Sequence, residues 1–170
     1  MTKADQNSRP LIKLPLTTFE KVLEVIAVIG VVAGFILIIS VWGDLPDQIP
    51  KHFNIYGQPD DWGAKRSLII VQIVVTALYL LLSYVGRFPH QFNYPWRISA
   101  ENAAVQYRNA RQMLIMAKAE MVWLFWYLQL ASVQIAFGRA QCLSGLYILI
   151  FLGLIVGTLS FYIFRGYKLR

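Results

Sequence analysis

Side chains able to bind a metal ion or to move a proton are concentrated in one polar stretch of the sequence. Asp47, His52, Asp60 and Asp61 lie there close together. Zinc sites usually add a second histidine or a cysteine at helical or hairpin spacing, and this stretch has neither. We therefore expect these groups to form a hydrogen-bonded network that fixes a loop, and we predict neither a metal ion nor another cofactor.

The rest of the sequence gives little indication of catalysis. Cys142 is the single cysteine, which excludes an internal disulfide. The sequence contains no hydrolase triad order, no phosphate-binding glycine loop and no haem-attachment motif. We expect the protein not to be an enzyme.

Four long uncharged stretches indicate a membrane protein. Of 170 residues, 57% are hydrophobic and 15% are charged. The uncharged stretches cover residues 25–43, 67–86, 121–138 and 140–164. A helix needs about 20 apolar residues to cross a bilayer, and a helix satisfies its own backbone groups in lipid. We predict an all-α membrane protein of one domain, residues 1–170, with spans at 21–43, 66–87, 113–138 and 142–165.

The segments between the spans differ in character. Residues 1–20 form a polar tail, and residues 44–65 form a loop whose three prolines favour an ordered conformation. Residues 88–112 begin as a loop and become helical. Because no glycine or proline interrupts residues 99–137, we expect the third helix to extend beyond the membrane into the cytoplasm.

The distribution of basic residues predicts the orientation. Lysine and arginine are retained on the cytoplasmic side of membranes. If both termini are cytoplasmic, only four of the 16 basic residues fall on the outer side: Lys51, Lys65, Arg66 and Arg139. We therefore predict cytoplasmic termini and an outer loop at residues 44–65. The net charge of +7 then reflects attraction to anionic lipid at the inner face, and nucleic-acid binding is not predicted.

A row of charges marks the cytoplasmic part of the third helix. Glu101, Arg108, Arg111 and Lys118 occupy about a quarter of its circumference. We expect this row to face water or lipid headgroups, with a regulatory docking face as the alternative. Lys118 and Glu120 are expected to reach the membrane interface with their polar ends.

Two glycine pairs predict close helix contacts within the membrane. Gly30 and Gly34 lie on the first span, and Gly153 and Gly157 lie on the fourth. The G-x-x-x-G spacing exposes backbone to a neighbouring helix. We expect the first and fourth helices to pack together through these pairs. Dimerisation or contact with a foreign helix is the alternative.

A polar stripe runs along the second span. Its members are Gln72, Thr76, Tyr79 and Ser83. Helical spacing places them on one face, which we expect to point into the bundle and to meet Gln129 and Ser132 of the third span. The alternative is a transport path for a small molecule. Such paths more often carry a buried ionisable pair or a broken helix, and neither is predicted in the middle of these spans.

The outer loop carries the most specific motif. Its residues 45–54 read L-P-D-x-I-P-x-H-F-N, and residues 57–65 read G-x-P-D-x-W-G-x-K. This pattern resembles the signature of an uncharacterised bacterial integral-membrane domain, which also forms the N-terminal part of SdpI-type immunity proteins. The resemblance covers the first helix, the loop and the second helix.

The resemblance implies a bacterial cytoplasmic-membrane protein without catalytic activity. For SdpI-type relatives it implies protection against a peptide toxin and signalling to a repressor. We thus expect a protein that acts by contact, either as an accessory subunit of a membrane complex or as a peptide-binding immunity protein. The matching motif positions are the expected partner-binding residues: Asp47, His52, Asn54, Gly57, Asp60, Trp62 and Lys65.

Overall fold

Four membrane-length helices and one β-hairpin make up the fold. The computed structural model describes residues 9–170, so residues 1–8 of the predicted tail lie outside the described residues. The elements are α1 (Thr18–Val41), β1 (Gln48–Phe53), β2 (Pro59–Ala64), α2 (Ser67–Val85), a 3₁₀ turn (Pro89–Gln91), α3 (Ala103–Ala136) and α4 (Gly145–Lys168). Within the described residues, all four α-helices are long and apolar enough to cross a membrane. The predicted four-span architecture is confirmed.

A capping box fixes the start of α1. The Glu20 backbone N–H donates to Thr17 Oγ1 at 3.2 Å, and the Thr17 N–H donates to Glu20 Oε2 at 2.7 Å. These two bonds satisfy backbone donors that a helix otherwise leaves unpaired at its N-terminus. The same Glu20 carboxylate also takes part in the polar interior described below.

The long helix α3 is the centre of the bundle. It packs against α1, α2 and α4, and α1 also packs against α2. The predicted packing of the first helix against the fourth is therefore wrong. The reason is that Gly30 faces Val122 and Trp123 of α3, whereas Gly34 faces the side-chain amide of Gln72 on α2.

The second glycine pair has no such neighbours. A Cβ atom at Gly153 or Gly157 would find open space within 4 Å among the described residues. Among residues 9–170 these two glycines therefore make no close helix contact, and the alternative of dimerisation or contact with a foreign helix remains a prediction for them. Lipid tails would cover this face of α4 in a membrane.

The loop between α1 and α2 folds into an antiparallel hairpin. Gln48 pairs with Ala64 and Ile49 with Gly63, and irregular register follows towards the tip. The tip turns at Asn54, whose Oδ1 accepts from the backbone N–H of Tyr56 at 2.9 Å and of Gln58 at 3.0 Å. This side-chain turn makes the loop an ordered element.

An apolar cluster seats the hairpin on the helix ends. Its buried members are Ile38, Leu45, Ile49, Leu68 and Val133. They come from the hairpin segment and from α1, α2 and α3, so the hairpin covers one end of the bundle. We call this the hairpin end. The Leu143 N–H, in the α3–α4 connection, donates to the Gly57 carbonyl at 2.7 Å and fixes the tip as well.

The opposite end holds residues 9–16 and the C-terminus, and we call it the terminal end. Arg9 donates to the carbonyl oxygens of Phe92 at 2.6 Å and His90 at 3.0 Å. The Tyr107 hydroxyl donates to the Pro10 carbonyl at 3.2 Å. Burial raises the pKa of Tyr94, which belongs to the apolar cluster beneath this segment. The N-terminal segment is thus bonded to the α2–α3 connection and to α3.

Amide side chains of α3 hold the last turns of α4. Gln106 Nε2 donates to the Gly166 carbonyl at 2.9 Å, and Asn109 Nδ2 donates to the Tyr162 carbonyl at 2.9 Å. Gly166 permits this approach, because a Cβ there would lie 2.5 Å from Trp96. Both termini of the described chain therefore lie at the same end of the bundle, as an even number of spans requires.

Candidate functional site

An ion pair between α1 and α3 is buried near the terminal end. Arg111 Nε lies 2.8 Å from Glu20 Oε1, and the two side chains are 8% and 0% exposed. Arg111 also donates to the carbonyl oxygens of Leu14 at 2.7 Å and Pro15 at 3.2 Å. The guanidinium thus joins the N-terminal segment, α1 and α3. A buried charge needs such partners because its desolvation costs several kcal/mol or more.

A second ion pair lies further into the bundle. Lys118 Nζ is 2.7 Å from both carboxylate oxygens of Glu24 and donates to Ser83 Oγ at 2.7 Å. The ammonium also lies 4.7 Å from the ring centre of Tyr79, whose hydroxyl donates to Glu24 at 3.3 Å. The Lys118 side chain is 1% exposed, whereas that of Glu24 is 25% exposed.

These pairs correct the expectation that Arg111 and Lys118 face water or headgroups, whereas Glu101 is exposed as expected and lies before the first residue of α3. Arg111, Lys118 and Glu120 are all buried, and each has a partner in the bundle. The partner of Glu120 is the Thr158 hydroxyl on α4, at 2.5 Å. The sequence analysis did not identify Glu24 as a site residue. It therefore also missed the buried ionisable pair that Glu24 forms with Lys118.

The sequence did contain a signal for the two pairs. Glu20 and Glu24 are four residues apart, and Arg111 and Lys118 are seven apart, so each set lies on one face of its helix. Because α1 and α3 both run from the terminal end towards the hairpin end, the two acids and the two bases meet in the same order. Matching such faces would have suggested the contact.

The polar stripe of α2 points into the bundle. Gln72 Nε2 donates to the Val31 carbonyl at 2.9 Å, and its Oε1 accepts from Gln129 at 3.1 Å. Thr76 and Ser83 each donate to a backbone carbonyl four residues earlier, at 2.7 Å. Ser132 makes no hydrogen bond to α2 among residues 9–170. Gln72 of α2 is therefore hydrogen-bonded to both α1 and α3.

A cavity of about 900 Å³ opens at the terminal end, next to the Glu24–Lys118 pair. Residues 11–16 form one wall, and the last turn of α2 and the following residues 87–90 form another. Glu24, Tyr79 and Ser83 also line it. Two of the four stripe residues and the acidic member of the second ion pair are thus reached from this cavity.

The hairpin divides the seven predicted partner-binding residues into two groups. Asn54, Gly57 and Lys65 hold the hairpin in place. Gly57 has φ +76°, and a Cβ there would lie 2.7 Å from the Leu143 carbonyl oxygen. Lys65 Nζ donates to the Leu45 carbonyl at 3.0 Å and lies 3.6 Å from Asp47, whose side chain is 97% exposed.

The other four residues, Asp47, His52, Asp60 and Trp62, are exposed. His52 Nδ1 lies 2.6 Å from Asp60 Oδ1, and these side chains are 68% and 42% exposed. Trp62 is 45% exposed, and Tyr56 at the tip is 76% exposed. Among residues 9–170, no group of three or more histidine, cysteine or acidic side chains is placed to hold a metal ion.

Comparison with known proteins places the hairpin in a recurring sequence unit. Residues 29–77 match a family described as a domain of unknown function, DUF1648. The matched range contains the second half of α1, the whole hairpin and the first half of α2. The chain is therefore similar to an uncharacterised family over this range and has the architecture of a multi-pass membrane protein.

A relative is known from an archaeon. An uncharacterised protein of Archaeoglobus fulgidus is 27% identical over 89 residues, which cover 48% of this chain and 49% of the relative. The chain thus spans about half the length of that relative. No solved structure matches the chain.

Proposed function

We propose that this protein is a non-catalytic component of the bacterial cytoplasmic membrane that acts by binding another protein or peptide outside the cell. It would serve as an accessory subunit of a membrane complex or as an SdpI-like peptide-binding immunity protein. The observation that carries the proposal is the hairpin, in which one set of residues fixes the position and another set is left exposed.

The bracing of the hairpin favours recognition. Asn54, Gly57 and Lys65 bond the hairpin to itself and to the helix connections. Binding to a fixed surface avoids the free-energy cost of ordering a flexible loop.

The exposed side chains have the composition of a binding surface. Ile55, Tyr56 and Trp62 are 90%, 76% and 45% exposed and supply apolar and aromatic area. The Lys51–Asp61 ion pair and the hydrogen-bonded His52–Asp60 pair supply directional polar groups beside them. Aromatic anchors next to polar groups are typical of the residues that dominate binding energy at protein interfaces.

Charge distribution supports the orientation in this proposal. Among the described residues, the basic residues at the hairpin end are Lys51, Lys65, Arg66 and Arg139, and the other basic residues lie towards the terminal end. The rule that places basic residues in the cytoplasm then puts both termini inside and the hairpin outside. A secreted peptide or the outer part of another membrane protein would meet the hairpin directly.

Transport along the α2 stripe is less well supported. The buried Glu24–Lys118 pair beside the cavity is the kind of group that transport paths carry. Between that pair and the hairpin end, however, Gln72 is bonded to both α1 and α3. An apolar cluster then closes the hairpin end. The stripe fits better as polar packing between helices.

Photo-crosslinking tests the binding surface in native membranes. A photoreactive phenylalanine in place of Tyr56 should give a discrete adduct of higher mass. Trp62→Ala should reduce the yield of that adduct about 30-fold, since removal of an interface hot spot costs about 2 kcal/mol. The matched control is the same probe in place of Tyr84, an exposed aromatic residue at the other end of α2. Equal adducts at both positions, or a yield unaffected by Trp62→Ala, would contradict the proposal.

A further inference from the structure

The cavity at the terminal end has no part in the proposed contact at the hairpin. Its walls are mainly apolar and include Leu16, Leu82 and Ile115. Its volume of about 900 Å³ lies in the range of natural ligand sites, roughly 300–1,000 Å³. Leu16 is 42% exposed, so the cavity opens at the surface of the bundle.

Two unpaired basic side chains line the cavity. Lys13 and Arg87 are both exposed, and neither side chain forms a hydrogen bond or an ion pair with any of residues 9–170. Arg111, which also lines the cavity, is instead neutralised by Glu20, and Glu24 is neutralised by Lys118. The free charge of the lining is therefore positive.

The two basic residues lie at the depth of lipid headgroups. Lys13 precedes the first residue of α1, Thr18, and Arg87 follows the last residue of α2, Val85. Positions just beyond the ends of spanning helices lie at the boundary between hydrocarbon and water. The apolar wall residues Leu82 and Ile115 belong to the helices themselves, so the cavity extends from this boundary into the bundle.

We propose that the cavity binds one anionic phospholipid from the surrounding leaflet. The phosphate pairs with Lys13 and Arg87, and one acyl chain lies between Leu16, Leu82 and Ile115. Arginine and lysine are the common partners of phosphate groups in proteins, and a basic site next to an apolar cavity selects an amphiphile over a free ion. A neutral phospholipid lacks the net charge that these residues complement.

Native mass spectrometry of the full chain tests this site. The protein is delipidated and then offered phosphatidylglycerol, phosphatidylcholine or inorganic phosphate in separate samples. We expect one phosphatidylglycerol to be retained per chain and phosphatidylcholine to bind at least about tenfold more weakly. The double variant Lys13→Gln/Arg87→Gln should lower phosphatidylglycerol affinity about 10- to 30-fold, because each basic residue near a membrane surface adds a measurable attraction.

Two further variants separate this site from general attraction to the membrane. Arg97→Gln/Lys168→Gln removes the same charge from the same end but outside the cavity, and should leave affinity unchanged. Leu82→Trp fills the cavity without a change of charge and should abolish retention. Equal loss in both double variants, equal retention of the two lipids, retention in Leu82→Trp or binding of phosphate in place of lipid would overturn the proposal.

Discussion

Replacing Arg111 with methionine should lower the free energy of unfolding by about 3–5 kcal/mol, the range for removing one partner of a buried ion pair. The substitution leaves the Glu20 carboxylate, which is 0% exposed, without its counter-charge. It also removes the donors to the Leu14 and Pro15 carbonyl oxygens. The N-terminal segment and α1 would thereby lose their bonds to α3 at this residue.

Denaturant or thermal unfolding in detergent micelles measures this effect. Arg97→Met is the matched control, because Arg97 is exposed in the α2–α3 connection. Its effect should stay within about 0.5 kcal/mol. The double variant Glu20→Gln/Arg111→Met should recover part of the loss, since the uncompensated charge is then absent. A loss below about 1 kcal/mol in Arg111→Met would show that the buried pair is not formed.

Replacing Lys118 with methionine should cost about 3 kcal/mol, slightly less than the change at Arg111. The substitution removes the counter-charge of Glu24 and the donor to Ser83. Glu24 is 25% exposed beside the cavity, so water can solvate part of the remaining carboxylate. That solvation is the reason for the smaller expected effect.

A double-mutant cycle isolates the Glu24–Lys118 interaction. Glu24→Gln, Lys118→Met and the double variant should give a coupling energy of at least about 1 kcal/mol. Lys21→Met provides a control at an exposed basic residue on α1, one turn before Glu24. Additive effects of Glu24→Gln and Lys118→Met would indicate that the two side chains do not meet.

The four spans could be predicted from the sequence because the signal is local. Each span contains a long uncharged stretch, and its helix lies close to the expected position, as with residues 66–87 and the observed Ser67–Val85. In lipid, a helix satisfies its own backbone groups, so a segment needs no information about its neighbours to adopt this structure.

The hairpin could be predicted only in part. The sequence indicated an ordered loop, but not the strand Pro59–Ala64 in its second half. Proline, aspartate and glycine are depleted in strands. The presence of Asp60, Asp61 and Gly63 therefore argues against a strand when the sequence is considered alone. This segment is a strand because it pairs with β1, which packs through Ile49 into the apolar cluster at the helix ends. Both interactions depend on residues distant in the sequence.

The charged residues of α3 show what helical periodicity leaves out. Spacing correctly groups Arg111 and Lys118 on one face, but it does not identify what lies opposite. Charged side chains are usually exposed, so periodicity alone predicts that Arg111 and Lys118 face water. Their burial can be predicted only if the acidic residues of α1 are considered as their partners. The two glycine pairs have the same limitation, because Gly30 contacts α3, whereas a Cβ at Gly153 would have no neighbour within 4 Å in the described part of the chain.

The exposure of the hairpin on the outer face of the membrane is tested most directly by labelling Cys142. This residue is exposed in the α3–α4 connection, and Leu143 next to it is bonded to the hairpin tip. A membrane-impermeant maleimide should label Cys142 in intact cells, whereas the variant Cys142→Ser/Arg97→Cys should react only after permeabilisation. Labelling of residue 97, but not of Cys142, in intact cells would place the hairpin in the cytoplasm and contradict the proposed function.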